Sequence, residues 1–129
     1  MEMEFLAVLN SKTISDKYDE AYFNDIMSMI KEFCQASDAF LISPYSKRKI
    51  DICNQYTSEV EIIDNDYVIS FAEDNAGKLI LRNIQKKLEN EPFFRMFLGA
   101  ILTNIFKNAN MIEKLKNEKY TDSLLNIYN

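Results

Sequence analysis

Apolar and polar positions change rhythm along the chain, and each change marks a new element. From Tyr22 the apolar residues fall at Tyr22, Ile26, Met29, Ile30 and Phe33, the spacing of one helix face. Asp19 or Ser15 supplies an N-cap oxygen, and the helix is expected to end near Ala36-Ser37-Asp38. Ahead of it, Phe5, Leu6, Val8 and Leu9 predict a short helical segment within residues 4–10. After it, Ala39-Phe40-Leu41-Ile42 is a continuous apolar run closed by the turn-forming Ser43-Pro44-Tyr45-Ser46. Alternation then takes over at Ile50, Ile52 and Gln55-Tyr56, at Val60 and Ile62, at Tyr67, Ile69 and Phe71, and from Leu79 to Ile84. Asp64-Asn65-Asp66 and Glu73-Asp74-Asn75-Ala76-Gly77 mark turns, so four to five antiparallel strands are expected. Pro92 suits a first helical turn, and from Phe93 no breaker appears before about Lys119. The order predicts an α+β fold, an antiparallel sheet with helices packed on one face and a long C-terminal helix.

That last helix carries the most information. Phe94, Leu98, Ile101, Ile105, Asn108, Ile112 and Leu115 are spaced alternately by four and three residues, a heptad seam. A single polar seam position, here Asn108, fixes register and oligomeric state in coiled coils. Gly99, Leu102, Phe106 and Ala109 form an adjacent stripe. Two stripes allow the helix to pack its own sheet with one and a partner with the other. Alternatively, both belong to one wide core face, a reading at least as strong up to about Phe106. Beyond it, Glu113, Lys114, Lys116, Asn117, Glu118 and Lys119 surround Ile112 and Leu115, the pattern of a helix leaving its domain. The seam is expected to form a parallel homodimer.

Composition narrows the function classes. The 129 residues are 47% hydrophobic, enough for one core, and only two Gly and two Pro leave little scope for long irregular loops. A net charge of −5 argues against the basic stripe that nucleic acid requires and gives no support for docking on an anionic membrane. No apolar run spans a bilayer, and Met1-Glu2-Met3-Glu4 is the reverse of a signal peptide's basic start. Cys34 and Cys53 read as free buried thiols, and a cytoplasmic location is expected. The absence of histidine removes His-ligated haem, Ser-His-Asp catalysis and the usual zinc sites. Gly77 and Gly99 alone cannot build a phosphate loop. Asp64, Asp66, Glu73 and Asp74 read as solvated turn acids, and Lys47-Arg48-Lys49 as a solvated loop. No catalytic residue, metal or cofactor is expected.

The chain closes with Tyr120-Thr121-Asp122-Ser123-Leu124-Leu125-Asn126-Ile127-Tyr128-Asn129. This resembles the opening motif of GGDEF (diguanylate cyclase) domains, Thr-Asp-x-Leu-Thr-Gly-Leu-x-Asn. Thr121, Asp122, Leu124 and Asn129 match it, while Leu125 and Asn126 depart from its Thr-Gly. Asn108-Ala109-Asn110-Met111-Ile112-Glu113-Lys114-Leu115 is similar to the closing helix of GAF domains. The resemblance implies a GAF-like sensor and dimerisation domain over residues 1–118, with a linker helix at about 92–119. Residues 119–129 would then begin a truncated GGDEF domain.

The function so implied is a regulatory module of a bacterial cyclic-di-GMP signalling protein, passing state through its C-terminal helix to a downstream GGDEF domain. None of that domain's metal or substrate residues is present, so the chain is expected not to be an enzyme. Ligand-binding GAF domains resemble one another in roofing their sheet with long insertions, and residues 55–67 are too short for such a roof. A small-molecule pocket lined by Phe40, Tyr56, Tyr67, Ile69 and Phe71 is the rival reading. A heteromeric adaptor presenting the apolar helix is the third.

Overall fold

The computed structural model describes residues 2–45 and 61–128, with side chains as far as residue 116. Its elements are α1 (Glu2–Asn10), α2 (Glu20–Cys34), β1 (Asp38–Ile42), β2 (Tyr67–Phe71), β3 (Gly77–Arg82) and α3 (Glu91–Tyr128). The fold is α+β, as the alternation of patterns predicts. Ile50, Ile52, Tyr56 and Val60 lie outside the described residues, and Ile62 sits in an irregular, exposed segment.

Local chemistry sets the element ends. The Asp19 side chain accepts from the Tyr22 amide at 3.0 Å and caps α2. Gln35 closes it in the left-handed conformation, φ 54° and ψ 45°. Pro92 is the second residue of α3, where its missing amide would have no helical partner. That helix runs to Tyr128, beyond the expected end near Lys119.

The three described strands are antiparallel in the order β1-β3-β2. Leu41 pairs with Leu79 and Leu79 with Ile69, so Ala39, Leu41, Leu79, Leu81, Ile69 and Phe71 share one face. All six join one cluster with residues of all three helices, so the helices pack on this face. Phe40, Ile80 and Val68 form the row on the other face. At the centre, the Phe106 ring lies 5.2 Å from Phe23 and 5.6 Å from Phe71. Phe23, Phe94 and Phe106 are buried to 1% exposure or less, each worth about 1.5–3 kcal/mol of hydrophobic transfer.

Two contacts join α1 and its following loop to α3. Glu2 is buried, and its carboxylate accepts the backbone amides of Glu89 and Asn90, where the chain enters α3. Asn108 Nδ2 donates to the Thr13 carbonyl at 3.1 Å, which the Tyr18 hydroxyl also reaches at 2.6 Å.

Candidate functional site on the C-terminal helix

Three faces of α3 have three different environments. The first is the predicted seam. Phe94, Leu98, Ile101 and Ile105 are 0–3% exposed within a single chain, covered by its own helices and sheet. They are therefore core residues rather than a partner surface. A seam apolar at every third and fourth position is what either environment requires. Asn108 is half-buried and already bonded to Thr13, so its amide anchors the α1–α2 loop instead of setting a dimer register. Only Ile112, half-buried, and Leu115, 55% exposed, stand clear of the core. The adjacent stripe behaves as expected, with Leu102 and Phe106 fully covered in the chain's own core.

The second face lies beside α1 and was not singled out by sequence. Phe97, Ala100, Asn104, Met111 and Leu115 recur at three-, four- and seven-residue steps on one stripe. All five are exposed, Phe97 at 43% and Met111 at 59%. Met3 and Ala7 of α1 line a 350 Å3 groove with Phe97, Ala100 and Asn104. Phe97, Met111 and Leu115 thus leave apolar surface exposed along this side of the helix, with the polar Asn104 among them. The signal was present, as apolar positions just off the buried seam.

On the third face, Thr103, Lys107, Asn110 and Lys114 line a cleft of 820 Å3 against the β2–β3 turn. Thr103 Oγ1 donates to the Gly99 carbonyl and accepts from the Ala72 amide at 3.0 Å, tying turn to helix.

The aromatic pocket of the rival reading is not assembled among the described residues. Ile69 and Phe71 are buried in the helix-facing core, whereas Phe40 lies on the opposite sheet face beneath the Arg82 guanidinium, 5.1 Å from its ring centre. Tyr67 Oη donates to Glu91 Oε1 at 2.9 Å, and Arg95 lies over its ring. Burial and the Glu91 bond raise the Tyr67 pKa, while the Tyr67 bond and then Arg95 hold the Glu91 carboxyl low. Arg95 also donates to the Val68 carbonyl, bonding β2, an edge of the sheet among the described strands. Tyr56 and Cys53 lie outside the described residues, as does the Lys47-Arg48-Lys49 triplet.

Asp66 is not a solvated turn acid. Its carboxylate is covered and takes two bonds of 3.0 Å from Arg82, plus the Ile63 amide at 2.9 Å. The Arg82 bond keeps its pKa below the ordinary carboxylate range. Cys34 is a free buried thiol, pushed up to about 12 by desolvation. Among the described residues no group of His, Cys, Asp and Glu could hold a metal ion, and no helix is long and apolar enough to cross a membrane.

No family model matches the chain, and comparison with curated proteins and with solved structures finds no similar protein.

Proposed function

We propose that the chain is a regulatory dimerisation module, in which two copies associate in parallel through the α1–α3 outer face and α3 carries state away from the domain. The carrying observation is one face of α3 on which exposed Phe97, Ala100, Met111 and Leu115 flank the polar Asn104 and Asn108. It starts beside α1 at Phe97 and reaches Met111 and Leu115, past Ala109, the last buried residue among the α3 residues whose side chains are described. A helix of 38 residues is about 57 Å long. Among the described positions after Ala109, residues 110–116 are exposed or half-buried, and a partner helix on their apolar members would stabilise such a stretch. A parallel two-fold pair sets each stripe against itself, with Ala100 allowing close approach and the exposed Asn104 replacing Asn108 as the polar register position. The similarity of residues 120–129 to the opening of GGDEF domains supports a cyclase as the output, since such enzymes resemble one another in working as dimers.

Sedimentation equilibrium tests the association. The chain is expected to be a dimer, and a Phe97→Glu/Met111→Glu double variant a folded monomer. A parent chain that stays monomeric at the highest attainable concentration, or a double variant that stays dimeric, overturns the reading. Ile105→Lys does not discriminate, because Ile105 is a core residue and its charge would unfold the chain.

A further inference from the structure

The cleft between the β2–β3 turn and α3 has a charge distribution that no contact among the described residues explains. Lys107 and Lys114 stand on its helix wall, with Asn110 between them. Glu73 and Asp74 stand on its turn wall, and Pro44, Tyr45, Ala72 and Ala76 complete the lining. None of these four charged side chains forms an ion pair with a described residue. The Asn110 amide likewise has no hydrogen bond to a described residue. Opposite charges therefore face one cleft without meeting. Its 820 Å3 falls in the range of small-molecule sites.

The turn wall is also held in an unfavourable shape. Ala72 has φ 67° and ψ 179°, a region nearly closed to residues with a Cβ, and Asp74 and Asn75 have φ of 57° and 54°. The Thr103 hydroxyl holds the Ala72 amide against α3. A relaxed turn would not need three such residues in four positions. Tyr45 is half-buried against Phe106 at 6.4 Å, and desolvation followed by Glu73 raises its pKa, so its phenol is a neutral donor.

We propose that this cleft binds a small zwitterion of the amino-acid or short-peptide class, its carboxylate held by Lys107 and Lys114 and its ammonium by Glu73 and Asp74. The apolar part of the ligand lies on Tyr45 and Pro44. Charge complementarity selects this class. A simple anion meets Glu73 and Asp74, and a simple cation meets the two lysines. A divalent ion would need several oxygens converging on one point, and here two carboxylates face two ammonium groups. The bound ligand joins the turn to α3 where the helix leaves the core, so it favours whichever orientation of α3 closes the cleft. This regulatory consequence rests on the reading of α3 as the transmitting element; the binding itself does not.

Amide-resolved NMR titration tests it, using the twenty free L-amino acids and a set of L,L-dipeptides, each also as its N-acetyl and C-amide form. Binding is expected to shift amides of residues 72–76 and 103–114. Blocking either terminus is expected to weaken it about tenfold or more, the loss of a charge-assisted bond. In a Lys107→Gln/Lys114→Gln variant, free and C-amide forms should bind alike. Binding should persist in Phe97→Glu/Met111→Glu, whose substitutions lie outside the cleft lining. The assignment is overturned if no compound shifts these amides, if blocked and free forms bind the parent equally, or if binding is lost in that monomerising variant.

Discussion

Replacing Gly77 with alanine tests the packing at the heart of the sheet. Gly77 opens β3 directly opposite Phe71 on β2, and its φ is not positive, so turn geometry does not require glycine. Space does. A Cβ built on Gly77 would lie 2.4, 2.6 and 2.8 Å from three atoms of the Phe71 ring, where ordinary contact begins at 3.4 Å. The ring must therefore move by about 1.0 Å, the difference between 3.4 and 2.4 Å. It has little freedom to do so, because Phe71 is 3% exposed and stacks on Phe106, which itself meets Phe23 and Tyr45. Such overpacking costs about 1–3 kcal/mol. Loss of glycine's unfolded-state freedom offsets roughly 0.4–1 kcal/mol of this. The net expectation is a destabilisation of about 1–2 kcal/mol, or a fall in Tm of roughly 4–10 °C for a domain of this size. Urea denaturation and calorimetry read both numbers. A double-mutant cycle with Phe71→Leu assigns the cause, since a smaller side chain should remove most of the penalty. A Gly77→Ala variant as stable as the parent, or a penalty unchanged with Leu at 71, refutes the steric account.

Ala72→Gly should stabilise the chain by about 1 kcal/mol, because glycine adopts φ 67° and ψ 179° without penalty; a lower urea midpoint would contradict the strain assigned there. Asn108→Ala should destabilise by about 1 kcal/mol by removing one of the two donors to the Thr13 carbonyl, and sedimentation should show the oligomeric state unchanged. Arg82 depresses the Asp66 pKa, so the folded state binds fewer protons than the unfolded state over that interval and the contribution is present at neutral pH. It is lost as pH falls from the ordinary carboxylate value, about 4, through the lower folded value; the stability gap between parent and Asp66→Asn, measured by urea denaturation, should narrow over that window. In a Cys53→Ser variant, Cys34 should react with a thiol reagent at pH 8 only after denaturant is added, which a timed chromogenic assay reads.

Elements whose determinants are local were readable from sequence. The Asp19 cap, the 3.6-residue face of α2, and the alternation through Tyr67, Ile69 and Phe71 each depend on neighbours within a few positions, and each appears where expected. What failed depends on pairings that periodicity does not encode. The α3 seam has one spacing whether its cover is the chain itself or another copy, so Phe94, Leu98, Ile101 and Ile105 were legible as buried but not by what. Phe40 was grouped with Ile69 and Phe71 because strand register across β3 decides which residues share a face. Asp66 looked like a turn acid because its partner Arg82 lies sixteen residues away on another strand. Gly77 looked like a turn glycine, and only the ring opposite it shows why the side chain is missing.

The pins along α3 restrict how the helix can move. Glu2 holds the amides just ahead of it, Thr103 holds the turn beside its middle, and Asn108 holds the loop after α1. A piston slide by even one residue is a step of about 1.5 Å, enough to break all three sets of bonds together. Rotation or splaying of the length beyond Asn108 breaks none of them. Displacements passed along this helix should therefore be angular, growing with distance from Asn108 and largest at the far end.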